Sequence, residues 1–403
     1  MKYFERKISV EDKMNLAVSF IIEGRFDIEK LRDSLDLIVK NNDIFRYTVE
    51  NGESTIKYIL CDYIPPKLDV VDVKDEKEAS SIMREITRSH SDEVQFPCWE
   101  FHLYRISEEK HIFLGKFPHS CMDGTAIKLF IDQLINLYNG AEVEFPNNYS
   151  DYLNSISSEE ELAHIREMQE YWDKENEGHK QIVDVTPVKG TACNYEPFFT
   201  VDLESVHKAA RKFKTSHAML FLYLCQLAYA VSYGVNDIDV ITMVSGRNKK
   251  EYTNTLGKFI SGSHNRIIFD NDKSVSETFT DNKVKLMKNM QLAQLGYKYP
   301  GSDPFMLTYL NNSTLGMLKL GDAMLYPNPD LTLSDDVDAE LIMIDATETN
   351  NGIIDVASTA SYDLFTKPQR KIFVDAFMDA IDILNGADMT FGEFAEKHKY
   401  KGE

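Results

Sequence analysis

The chain has 403 residues, more than one compact core ordinarily uses, and 43% of them are hydrophobic and 11% aromatic, which excludes wholesale disorder. Lys and Arg number 44 against 65 Asp and Glu, a net charge of −21, which argues against a chain built to wrap nucleic acid or to lie on an anionic membrane. The five cysteines (Cys61, Cys98, Cys121, Cys193, Cys225) form no CxxC pair, so neither a disulfide framework nor a structural zinc site is expected, and a reducing, cytoplasmic setting fits.

The amino-terminal MKYFERKISVEDK has no apolar core of the signal-peptide kind. A strand is predicted over 16–22, followed by Asp27 as N-cap of a helix with Ile28, Leu31, Leu35 and Ile38 at helical spacing. A second helix is predicted over 77–89. Two strands follow, 99–106 with Trp99, Phe101 and Leu103 on one face, and 111–117. The second runs directly into Pro118-His119-Ser120-Cys121-Met122-Asp123-Gly124, and a helix over 125–138 begins at once and stops at Gly140.

An acidic helix over 158–176 leads into the polar stretch 177–190, the expected junction between an amino-terminal lobe (1–176) and a carboxyl-terminal one (191–403). The second lobe carries helices near 204–213, 216–233, 275–295 and 367–385, with strands at 238–244, 341–346 and 353–359. The most apolar run, 218–233, is interrupted by Gln226 and is shorter than the roughly 20 residues a membrane-spanning helix needs, so it reads as a helix buried on all sides. Strands and helices lack the regular alternation of a doubly wound sheet, which gives a mixed α/β fold in two lobes.

The chemistry concentrates at His119-Ser-Cys-Met-Asp123-Gly124. A neutral imidazole at a strand end can accept a proton from an attacking amine or hydroxyl. An Asp at the following helix start can be held by the helix amides and a cation, and Gly124 allows a tight turn whose N–H groups lie near a developing oxyanion. The bland alternative is a structural His with an N-capping Asp. Cys121 reads as a small buried filler rather than a nucleophile: if the stretch is extended it shares a face with His119 but has no separate base. His217 and His264 lack ligand-like spacing, and there is no GxxxxGK[ST] or GxGxxG, so neither metal nor nucleotide cofactor is implied. Arg247, Lys249 and Lys250 make a small basic island suited to the phosphates of a donor, or simply a solvated turn.

Several segments together carry a family likeness. Besides the HxxxDG of 119–124 they are Asn41-Asn42-Asp43-Ile44-Phe45-Arg46, Tyr149-Ser-Asp-Tyr-Leu with Glu170-Tyr171-Trp172, Ile241-Thr-Met-Val-Ser245-Gly246-Arg247, and Gly257-Lys-Phe259-Ile260-Ser261 ending at Arg266. In order and spacing the chain resembles the condensation-domain and chloramphenicol-acetyltransferase-like superfamily of thioester-dependent acyltransferases. The likeness implies two acetyltransferase-like lobes in a V with a central tunnel. It implies His119 as base or positioning residue, and Asp123 as a structural acid paired with an Arg, Arg46 first and Arg247 second. It also implies Gly124 at the start of the helix that polarises the thioester carbonyl.

The expected donor is acyl-CoA or a phosphopantetheinyl carrier protein acting in trans, the acceptor an amine or alcohol, the molecule a monomer without bound cofactor. The setting is secondary-metabolite, nonribosomal-peptide-like biosynthesis. Pro118 replaces the first His of the doubled family motif, as in free-standing acyltransferases, and Ser261 replaces the motif's Asn. The DFGWG and EGHGRE-like signatures of other branches are absent from the sequence, and the motif at 119–124 does not read DxxxxD. The alternative is a non-catalytic family member that docks carrier proteins or recruits a partner enzyme.

Overall fold

The computed structural model describes residues 3–7, 15–51, 55–88, 96–145, 147–156, 158–186, 194–293, 302–311, 318–328 and 341–399. Cys193, residues 187–190 of the expected junction and the last residues of the predicted helices 77–89 and 275–295 lie outside them. The first elements are β1 (Tyr3–Lys7), β2 (Asn15–Glu23), α1 (Ile28–Asn41), a 3-10 turn (Asp43–Arg46), β3 (Tyr47–Asn51), β4 (Thr55–Leu60), β5 (Leu68–Asp72) and α2 (Glu76–Arg88). Then come β6 (Glu100–Ser107), β7 (Lys110–Pro118), α3 (Gly124–Tyr138), α4 (Tyr149–Ile156), α5 (Glu159–Glu175), β8 (Asn194–Asp202), α6 (Leu203–Phe213) and α7 (His217–Tyr233). The last are β9 (Asp237–Val244), β10 (Ser261–Ile268), α8 (Val275–Gln291), β11 (Phe305–Leu310), β12 (Leu318–Leu320), β13 (Ala323–Pro327), β14 (Ile342–Glu348), β15 (Ile353–Ala360), α9 (Lys367–Asn385) and α10 (Phe391–Lys397).

Two compact units result. The first takes Met1–Ile165 together with Ser245–Ile260 and Leu315–Ser334, so two segments of the carboxyl half belong to it; the second takes the remainder. In the first unit a six-stranded sheet runs β12-β13-β2-β7-β6-β5, antiparallel except for β5 against β6, beside a three-stranded sheet β1-β4-β3. The β12–β13 hairpin extends the sheet along β2, with Met324 opposite Glu23.

The period-two pattern of these strands fills both faces. Val18, Phe20, Phe101, Leu103, Phe113 and Phe117 turn toward α1 and α3, while Ile112, Leu114 and Tyr104 turn toward Ala79 and Met83 of α2. Asp27 caps α1 as its sequence predicts, accepting from the Glu29 and Lys30 amides, and Leu31, Leu35 and Ile38 are all buried. Each such large apolar side chain removed from water contributes about 1.5–3 kcal/mol.

The second unit has one mixed six-stranded sheet, β10-β9-β11-β14-β15-β8, in which β9–β11 and β11–β14 are parallel and the other pairs antiparallel. The helix read as buried on all sides is α7: Ser216 caps it, Gly234 ends it with φ +67°, and every residue from Met219 to Ser232 is buried. Its one strongly polar interior side chain, Gln226, donates Nε2 to Asn265 O. Among the described residues no helix is long and apolar enough to cross a membrane.

The motif Arg266 has a structural role in this unit. It grips Asp237 through Nε and Nη2 at 2.8 and 2.7 Å and takes the Glu175 and Glu177 carbonyls with Nη1, tying the end of α5 to the β9–β10 hairpin. His264 is likewise structural, with Nδ1 2.6 Å from Asp239 Oδ2 in the core.

Candidate active site

Strand β7 delivers the chain to Pro118, and helix α3 takes it up at Gly124. Between them residues 119–123 do not stay extended: the Cys121 and Met122 amides both donate back to Pro118 O, closing a turn. That turn buries Ser120, Cys121, Met122 and Asp123 and leaves His119 half-buried and Gly124 exposed.

His119 Nδ1 lies 2.9 Å from Met122 O. A carbonyl oxygen can only accept, so Nδ1 carries the proton and the neutral ring keeps its lone pair on Nε2. The backbone of the same turn thus fixes the tautomer, the service a carboxylate performs in many catalytic histidines. Tyr58, from β4, steadies the turn from below by donating its hydroxyl to Ser120 O at 2.6 Å. No local signal in the sequence marks Tyr58 for this contact.

Asp123 is 1% exposed, and its carboxylate is saturated. Oδ1 accepts from the Ala126 amide at 2.8 Å, capping α3. Oδ2 accepts from the amides of Phe259 (2.8 Å) and Ile260 (3.1 Å) and from Arg247 Nη1 (2.9 Å). With four donors on two oxygens it holds the site together and has no lone pair in position to move a substrate proton.

The cation is Arg247. Arg46, the first choice from sequence, directs Nε to Cys61 O at 3.2 Å instead, because the 3-10 turn that carries it leads straight into β3 beside β4. The Arg247 side chain is 4% exposed; Nη2 takes the Thr255 and Gly257 carbonyls, and the guanidinium lies 4.4 Å over the Phe259 ring. These contacts also remove Arg247 from the basic island offered for donor phosphates, leaving Lys249 and Lys250 as its exposed members.

The other family-like segments lead back to the same turn. Asp43 receives the Tyr149 and Ser150 amides at 2.7 and 3.1 Å, capping α4; burial pushes its carboxyl up, against the pull of these hydrogen bonds. Tyr149 then donates to Lys258 O at 2.8 Å, and its ring lies flat against Gly257, whose φ is +156°. A Cβ on Gly257 would stand 2.1 Å from Tyr149 Cδ2, so that position admits only glycine. Trp99 Nε1 donates to Phe45 O at 2.8 Å, and the rings of Phe45, Phe117 and Phe130 pack beneath. Tyr149, Gly257 and the Phe259–Ile260 amides are the residues that sequence alone left without a role.

Gly124 is glycine for a different reason. Its backbone does not occupy the left-handed region, and a Cβ there would meet nothing within 4 Å among the described residues. Neither the Gly124 nor the Thr125 amide has an acceptor among the described residues, as expected for the first turn of a helix. The turn therefore sets an imidazole, two outward helix amides and open space side by side, a set suited to proton transfer next to a forming oxyanion. Cys121 is buried, and the hydrogen bond between the Cys98 and Cys121 thiols, together with burial, pushes the Cys98 thiol up; neither is placed as an exposed nucleophile.

Comparison with known proteins agrees with this architecture. The family model described as "Condensation domain" matches residues 3–299. Bacitracin synthase 1 of Bacillus licheniformis is 23% identical over 295 residues, 71% of this chain and 6% of that protein, so the chain spans well under a tenth of that relative. Among solved structures, the starter condensation domain of rhizomide synthetase in complex with C8-CoA superposes with a TM-score of 0.75 at 13% identity, covering 95% of this chain and 92% of that one. The X-domain in complex with OxyB from teicoplanin biosynthesis gives 0.73 at 14%, covering 94% and 90%. These likenesses show a chloramphenicol-acetyltransferase-like, mixed α/β fold.

Proposed function

The chain belongs to the condensation-domain family, and from that premise we propose that it transfers an acyl group from a thioester to an amine or hydroxyl acceptor, with His119 as general base. Nε2 takes the acceptor's proton as its nitrogen or oxygen attacks the thioester carbonyl. The carbonyl oxygen becomes an oxyanion steadied by the Gly124 and Thr125 amides. Collapse of the tetrahedral adduct breaks the C–S bond, and the departing thiolate takes the proton back from the imidazolium. Asp123 handles no proton; with Arg247 it fixes the start of α3 against the 257–260 segment.

The observation that carries this reading is the His119 Nδ1 contact to Met122 O, which places the proton on Nδ1 and the ring's lone pair on Nε2. No metal or resident cofactor enters the scheme. The donor is an acyl-CoA or an acyl group on a phosphopantetheinyl carrier acting in trans, and the setting is nonribosomal-peptide-like biosynthesis. A structural neighbour solved with C8-CoA supports the first donor, and the peptide-synthetase relative supports the second. Lys249 and Lys250 remain candidates for the donor's phosphates.

A second reading, a non-catalytic domain that recruits a partner enzyme, is favoured by one observation, the likeness to an X-domain complexed with OxyB. The two readings part in a thiol-release assay over acyl-CoA and acyl-carrier donors mixed with pooled amines and alcohols. Acceptor-dependent release identifies an acyltransferase and its donor class; carrier binding without release from any donor identifies the recruiting domain.

A further inference from the structure

The second unit holds a cavity of about 580 Å³ that the proposed acyl transfer does not use. It lies where the carboxyl ends of α6 and α8 meet the start of α7, within the size range of small-molecule sites. In a chain of net charge −21, no Asp or Glu among the described residues lines it. Arg211 and Lys214 do, both exposed and neither with an ion-pair partner among the described residues, next to the hydroxyls of Thr215 and Ser216.

His207 and His217 complete the polar wall, and their geometry is specific. Tyr309 Oη and His217 Nδ1 both lie 2.8 Å from Glu348 Oε1, and His217 Nε2 lies 3.1 Å from His207 Nδ1. The carboxylate accepts from His217 Nδ1–H, so His217 Nε2 accepts from His207 Nδ1–H, and the remaining basic nitrogen of the chain is His207 Nε2. Opposite, Met219, Met287 and Met290 supply a flexible apolar wall, with Met287 49% exposed.

We infer that this cavity binds a phosphate monoester bearing an aliphatic tail, its dianionic head held by Arg211, Lys214 and the hydroxyls of Thr215 and Ser216 and its tail laid on the methionines. A dianion with three acceptor oxygens matches two fixed cations plus two hydroxyl donors better than a single carboxylate does.

The test is calorimetric titration of the full chain at pH 7 with n-decyl phosphate, decanoate, decanol and inorganic phosphate, repeated on the double variant Arg211→Gln/Lys214→Asn. Both positions are exposed, and Asn tolerates the left-handed conformation of Lys214 (φ 51°), so the fold is kept. The expected result is one site for decyl phosphate, at least tenfold tighter than for decanol or decanoate and weakened at least tenfold in the double variant. A second variant, the uncharged Met287→Gln, weakens decyl phosphate while leaving inorganic phosphate unchanged. Equal affinity for decyl phosphate and decanol, equal affinity for decyl phosphate and decanoate, or undiminished binding in the double variant overturns the inference. None of these outcomes depends on whether acyl transfer occurs.

Discussion

Asp123 and Arg247 stand 124 residues apart in the chain and 2.9 Å apart in space, Oδ2 to Nη1, with side chains 2% and 4% exposed. Around them the Phe259 and Ile260 amides and the Gly257 and Thr255 carbonyls complete a closed polar knot. Removing one member leaves the other buried and uncompensated, which costs about 3–5 kcal/mol. Asp123→Asn and Arg247→Met are each expected to lower stability by that amount in denaturant unfolding, and the double variant by much less than their sum. Single variants within about 0.5 kcal/mol of wild type, the usual range of an exposed surface change, would contradict the assignment.

Gly257 and Gly124 make opposite predictions from the same substitution. Gly257→Ala drives a Cβ into the Tyr149 ring and is expected to unfold the first unit or to shift its melting sharply downward. Gly124→Ala meets open space and sits in the first turn of α3, so stability is expected to hold or to rise by up to about 0.5–1 kcal/mol. Turnover falls nonetheless, because the added methyl occupies the room in front of the helix amides. Melting curves and rates measured on both variants check this, and a fully active Gly124→Ala enzyme would remove the oxyanion role from that turn.

In the second unit His179 bridges Asp237 Oδ1 at 3.2 Å and Asp303 Oδ2 at 3.0 Å. Burial alone would lower its pKa from the ordinary 6.5, but the two carboxylates prevail and raise it to about 9. A raised folded-state pKa stabilises in full below the unfolded value and loses that contribution as pH climbs through the folded value. Unfolding free energy is thus expected to fall between pH 7 and 10 more steeply in wild type than in His179→Gln. Parallel pH profiles would show that the bridge carries no linked proton.

Cys121, two residues from the proposed base, is a buried filler in this account. Cys121→Ser is expected to keep turnover within about twofold and to cost on the order of 1 kcal/mol for a polar group placed in an apolar site. A loss of a hundredfold or more with the fold intact would restore the thiol to the chemistry.

Much of this was readable in the chain. Period-two and period-3.6 patterns mark β2, β6, β7, β9, β14 and β15 and most of the longer helices, because one face of each is buried and the other is not, or both are. β10 escaped because the residues it buries on its two faces include Ser263, His264, Asn265 and Arg266, polar groups satisfied by hydrogen bonds rather than by apolar packing. β12 and β13 escaped because two short strands gain their stability by joining β2, some 300 positions earlier in the chain. The turn 119–124 was legible as a strand-to-helix handover, whereas the choice of Arg247 over Arg46 was not: local sequence carries no distance between residues 123 and 247. The Tyr149–Gly257 contact is hidden for the same reason.

The most direct test of the central proposal is acceptor-dependent thiol release by His119→Ala beside wild type, each first shown to be folded by its near-ultraviolet circular dichroism and melting curve. General-base catalysis contributes about 10²–10⁴ in rate, so the variant is expected to lose that much turnover with its fold unchanged. An equally folded His119→Ala protein that releases thiol at the wild-type rate would contradict the account.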